Sequence, residues 1–115
     1  MKEYMLVFRG GMTPESMESP ELMQKSMMQW KAWIEKIAAQ GKYIAGQPLQ
    51  PHGKVLSGKQ NKVTDGPFAE SKELLGGYFL IKADNIEEAV EISKDYPGFE
   101  HDGSVEVREI MQMSM

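Results

Sequence analysis

Apolar side chains recur along this chain in two rhythms, and the change between them marks its elements. Tyr4-Met5-Leu6-Val7-Phe8 is a short, nearly unbroken apolar run that stops at Gly10-Gly11. Such a run, bounded by glycines, reads as a strand covered on both faces. The rhythm then changes. Met23, Met27, Trp30, Ile34 and Ile37 recur at steps of four, three, four and three, the stripe of a helix lying on a sheet. Ser19 is placed to cap that helix, Pro20 to fill its first turn, Glu21 to face the dipole's positive end and Gly41 to stop it. Trp33 falls off the stripe, so it covers a second contact or edges a pocket.

Tyr43 to Gly46 reads as a short second strand, followed by a Pro- and Gly-bearing loop to Gly53. Lys54-Val55-Leu56-Ser57 and Asn61-Lys62-Val63-Thr64 flank Gly58-Lys59-Gln60, which predicts a hairpin with an exposed, charged tip. Gly77 to Ala83 is the strongest strand, with Tyr78 and Leu80 on one face and Phe79 and Ile81 on the other. Asp84, with Glu87 three residues on, predicts a capping box opening a second helix whose inner face is Ile86, Ala89, Val90 and Ser93. Pro97-Gly98 closes that helix, and alternating Val105 and Val107 make the last strand.

Strand, helix, strand with an extra hairpin, strand, helix, strand is the order of a ferredoxin-like βαββαβ domain. The expectation is one α+β domain over residues 1–115, an antiparallel sheet with both helices on one face and an inserted hairpin. Two helices cover one face only, and the other face is also apolar, so a second copy around a two-fold axis is the economical cover. A homodimer through the open sheet face is therefore expected.

Composition narrows the chemistry. A net charge of −4 offers no basic footprint for nucleic acid. No run approaches the ~18 apolar residues of a membrane span, and the N-terminus lacks a signal peptide's apolar core. Without cysteine there is no disulfide, thiolate metal site or thiol nucleophile, which suits a cytoplasmic protein. Neither a metal nor a cofactor is expected, because metal-ligand spacing and phosphate-cradling glycines are both missing from the sequence. Ten methionines, concentrated toward both ends, point to contact surfaces.

The densest cluster of polar chemistry runs from Asp65-Gly66-Pro67-Phe68 to Gly76-Gly77. Asp65 is a candidate general base, with turn formation as its alternative role. Glu70, Lys72 and Glu73 are candidates to hold a polar ligand, with a solvated loop as the alternative. The two histidines, His52 and His101, are candidates for proton transfer or binding, and His101-Asp102 would suit an oriented acid–base pair. Tyr78 and Trp30 are candidates to wall an apolar pocket between sheet and helix, with plain core as the alternative. Catalytic roles are thus expected of Asp65 and His101. Ligand contacts are expected of Glu70, Lys72, Glu73, Tyr78, His52 and Trp30.

Val63-Thr64-Asp65-Gly66-Pro67-Phe68-Ala69-Glu70, with Lys72-Glu73 and Gly76-Gly77-Tyr78-Phe79, resembles the DGPF signature of the YCII-related family. Trp30, Trp33, Gly41, Gly46 and Val105-Glu106-Val107-Arg108 extend the resemblance over nearly the whole chain. It implies the dimeric α/β-barrel form of the ferredoxin-like fold. Some members are linked to sigma-factor-like regulators, and the wider fold group includes small-molecule isomerases, cofactor-free oxygenases and dechlorinating enzymes. Better-known members are thought to pair an early His with an Asp directly before a Pro. Here the first helix has no His, and Asp95-Tyr96-Pro97 puts Tyr96 in the place before the proline. The resulting expectation is a protein that binds or transforms a small polar metabolite near the Asp65–Phe68 loop. The alternative is a non-catalytic regulatory or protein-interaction module linked to transcription regulation.

Overall fold

The computed structural model describes residues 1–11, 19–50, 52–66 and 75–113. Among these residues, six strands and two helices follow in the order β1 (Lys2–Arg9), α1 (Pro20–Ala39), β2 (Tyr43–Pro48), β3 (Gly53–Ser57), β4 (Lys62–Gly66), β5 (Leu75–Ala83), α2 (Ile86–Ser93) and β6 (Ser104–Glu109). A 3-10 turn at Pro97–His101 lies between α2 and β6. The main sheet has the order β2-β5-β1-β6 with antiparallel neighbours throughout. That is the ferredoxin-like arrangement of an α+β fold. Strands β3 and β4 form a separate two-stranded sheet.

Alternation along β1 sends Tyr4, Leu6 and Phe8 to the helix side, where all three are buried, and leaves Met5 and Val7 half-buried on the other face. Across β5, Phe79, Ile81 and Ala83 join the buried side while Tyr78 and Leu80 lie opposite Val7 and Met5 on the open side. Trp33 and Ile37 of α1 and Ala89 of α2 complete the core. The indole of Trp33 donates to the Ile92 carbonyl at 3.0 Å and so ties α1 to α2. Gly76 and Gly77 accompany a break in the β1–β5 register, where Phe8 faces Gly77 and Arg9 faces Leu75. Gly77 has φ +152°, and a Cβ there would stand 2.6 Å from the Gln47 carbonyl oxygen, so only glycine lets β5 approach β2 at that point.

Ser19 caps α1 by accepting from the Leu22 amide at 3.3 Å, and Gly41 with φ +71° follows its end. Four expectations need correction. The α1 stripe engages the core only over its second half: Met23 and Met27 are exposed, while Trp33 and Ile37 are buried. The cap of α2 is Asn85 rather than Asp84. Asn85 accepts from the Glu88 amide at 2.9 Å, and Glu88 in turn accepts from the Asp84 amide at 3.1 Å. Ala89 and Ser93 point inward as expected, but Ile92 rather than Ile86 and Val90 stands beside them, and those two face out. The helix then ends at Ser93, ahead of the 3-10 turn rather than at Pro97-Gly98.

Candidate functional site

Six aromatic rings meet where β1 and β5 pass under α1. Phe8 stacks on Tyr96 at 5.0 Å with an 8° interplanar angle and stands edge-on to Trp30 at 5.1 Å and to Phe79 at 5.0 Å. Trp33 lies 4.9 Å from Phe79, and Phe99 meets Tyr96 edge-on at 5.0 Å. Alternation in the strands and the step from Trp30 to Trp33 in the helix aim these rings at one point. Tyr96 is buried, and burial pushes its phenol up to about 12. Its hydroxyl sits in a collar of glycine backbone. A Cβ at Gly11, Gly98 or Gly103 would come within 2.4, 2.2 or 2.6 Å of the phenol oxygen. Tyr96 thereby pins the ends of β1, the 3-10 turn and β6 together. At neutral pH it remains a neutral donor and never a base.

Outside this cluster lies a cleft of about 520 Å³ between the second half of α1 and the segment from Lys94 to Glu100. Its walls are Ala32, Trp33, Pro97 and Phe99, and Phe99 is 49% exposed, an aromatic face open to the cleft. Lys36, Asp95, Lys94 and Glu100 stand around it. Lys36 bonds Asp95 at 2.7 Å and Lys94 bonds Glu91 at 2.6 Å, both on the exposed surface. A flat ring could lie on Phe99 while ammonium groups meet its oxygens, and the volume suits one small molecule. Among the described residues no group of three or more His, Asp or Glu side chains could hold a metal ion.

The residues singled out from the sequence are dispersed. Asp65 lies on β4, exposed and ion-paired with Lys54 across the ribbon. Glu70, Lys72 and Glu73 fall outside the described residues. His52 is exposed just ahead of β3, and His101 is exposed at the end of the 3-10 turn, directly after Glu100 of the cleft. Asp102 beside it is left-handed, with φ 59°. Trp30 joins the aromatic cluster. Tyr78 lies on the opposite face of the sheet, so the two cannot wall one pocket, and Phe79 faces Trp30 instead at 5.6 Å. The reason is strand parity: neighbours in a strand point to opposite faces.

Sequence reasoning gave no site role to Lys36 or Phe99, and read Pro97-Gly98 only as a helix stop and Tyr96 only as the residue before the proline. An aromatic–Pro–Gly–aromatic sequence between a helix and a strand was the available signal, since such a turn holds its rings rigidly at a surface.

Comparison with known proteins bears on the whole chain. An uncharacterised protein of Rhizobium meliloti (strain 1021) is 34% identical over 82 residues. That match covers 62% of this chain and 66% of the relative, just under two thirds of its length. Among solved structures, the 5-chloro-2-hydroxyhydroquinone dehydrochlorinase TftG of Burkholderia phenoliruptrix AC1100, in complex with 2,5-dihydroxybenzoquinone, has a similar fold. The TM-score is 0.53 at 14% identity, over 96% of this chain and 95% of that one. The model of the YCII-related domain matches residues 5–114, and with the strand order and helix placement described above it makes this chain a member of the YCII-related family.

Proposed function

We propose that this protein binds or transforms a small polar metabolite with a flat ring, held in the cleft between α1 and the 3-10 turn, and that it works as a homodimer joined through the open face of the main sheet. The observation that carries the ligand reading is the cleft itself: about 520 Å³, with the exposed Phe99 ring and the indole of Trp33 as walls and Lys36 and Lys94 beside them. A planar, hydroxylated ring offers a π face to Phe99 and acidic oxygens to the lysines. A protein of similar fold is known in complex with 2,5-dihydroxybenzoquinone, a molecule of that class. His101, one residue beyond Glu100, is the proton-transfer candidate from the sequence that lies nearest the cleft along the chain. Asp65 is solvated and held by Lys54, so the cleft replaces its strand as the proposed site.

The dimer reading rests on Met5, Val7, Tyr78 and Leu80, which form a contiguous apolar patch across the middle of the open face. The regulatory alternative draws on a different surface, the exposed Leu22, Met23, Met27 and Met28 of α1.

Titration of the protein with 2,5-dihydroxybenzoquinone, followed by the Trp33 indole resonance and by calorimetry, tests the ligand reading. Saturable shifts at Trp33, with at least tenfold weaker binding by Phe99→Ala, are expected. Shifts confined to residues of β4, or an unchanged affinity in Phe99→Ala, would overturn the cleft as the site.

A further inference from the structure

We propose that the β3–β4 ribbon is a clasp that closes on the acidic body of a second copy of this chain. The clasp rests on the dimer reading above and supplies contact that the open sheet face is too small to provide alone.

Three observations carry it. The first is isolation. The ribbon forms its own sheet, and among the described residues its substantial contacts are between its own two strands. All of its residues with assigned burial are exposed, including Val55, Leu56 at 63% and Val63 at 56%. A lone two-stranded hairpin is at best marginally stable in water, so an apolar one standing free needs a surface to lie on.

The second observation is charge. Within Gly53–Gly66 there are three lysines, Lys54, Lys59 and Lys62, against Asp65 alone, a net of +2. The whole chain carries −4, so the remainder carries −6. Basic ribbon and acidic body are complementary, which favours another copy of the same chain as the surface it meets. On α2, Glu87 stands with the exposed Ile86 and Val90, while Glu88 is bonded to Lys42 at 2.9 Å and Glu91 to Lys94 at 2.6 Å. In the ribbon, Leu56 faces Val63 and Ser57 faces Lys62, so apolar and cationic side chains are likewise neighbours.

The third is area. Four strands about 4.8 Å apart, paired over about 20 Å, present a flat patch of about 400 Å². A stable interface buries about 800 Å² of accessible surface per partner, more than a flat patch of this size supplies. A ribbon with five-residue strands and a turn reaches about 20 Å, enough to pass a facing sheet about 10 Å away and lie against the layer behind it.

Gly53 and Gly66 are paired across the root of the ribbon, so the segment between them can be removed and the chain closed with an Asn-Gly turn. Sedimentation of the full chain, the shortened chain and the exposed-tip variant Lys59→Glu/Lys62→Glu tests the clasp without touching the core. A dimer dissociation constant raised at least tenfold in both variants, and weakening of the full-chain dimer by added salt, is the expected result. Shortened and full chains dimerising equally tightly would overturn the clasp and leave the sheet-face dimer standing. A full chain that sediments as a single copy at every concentration would overturn the dimer reading, and the clasp with it.

Discussion

Tyr96 keeps its phenol proton between the Phe8 ring and three glycine backbones, away from water. The consequence is measurable in alkali. Its folded value is raised from 10.0 to about 12, so it contributes stability that is complete below 10 and is lost as pH climbs toward 12, where the unfolded chain already ionises. Denaturant titrations across that interval should show a falling unfolding free energy, and Tyr96→Phe should make the fall shallower by no more than about 2–3 kcal/mol. Tyr4 and Tyr43, both raised chiefly by burial, add to the same slope and remain in the variant. Tyr4 differs in one respect: after burial, the charge of the Glu109 carboxylate is the next largest influence raising its phenol. None of this was legible residue by residue. Tyr96 was noticed only as the residue standing before Pro97, because burial by three separate segments leaves no trace in the local sequence. Asp65 was noticed for its acidity and its turn, and the structure gives it a surface partner, Lys54, eleven residues away.

Helix ends were legible where one residue type alone could serve. Ser19-Pro20-Glu21 marks the start of α1, and the hydroxyl caps it there. Asp84-Asn85 offers two equivalent caps in a row, and the choice of Asn85 depends on which rotation seats Ala89 and Ser93 on the sheet. That choice also places Glu88 beside Lys42 at 2.9 Å. The Lys42 ammonium, and then the Asp84 amide, hold the Glu88 carboxyl below its usual 4.5. A depressed carboxylate contributes stability above its ordinary value and loses it as pH falls through the lowered one. Glu88→Gln should therefore lower the melting temperature at neutral pH, and the gap between variant and parent should close as the solution is acidified past that point. A gap that stays constant into acid would mean that the carboxylate's charge contributes nothing.

The two faces of the main sheet differ in what covers them. One face lies under α1 and α2. The other carries Met5, Val7, Tyr78 and Leu80 at its middle, with Glu106 bound to Arg9 at 3.3 Å and to Arg108 at 2.9 Å along one side. Leu80→Asp puts a carboxylate at the centre of the patch on each copy without disturbing the helix-side core. Light scattering should report loss of the proposed dimer while circular dichroism stays unchanged. An intact dimer would mean that the copies meet elsewhere or that the patch is covered by something else.

Alternation, helical spacing, caps and glycine breaks act over a few residues, and from them the chain order, the ferredoxin-like topology and the inserted hairpin could be read directly, while the hairpin's standing as a separate sheet came from the tertiary structure. Strand parity also foretold that Phe79 and Tyr78 would separate, although it could not say which of them would meet Trp30. Where side chains converge is a long-range matter. The cleft joins α1 to a turn some sixty residues later, and its Lys36–Asp95 contact spans 59 positions. No local pattern encodes such a meeting, because it depends on how the helices settle on the sheet after their own boundaries are set.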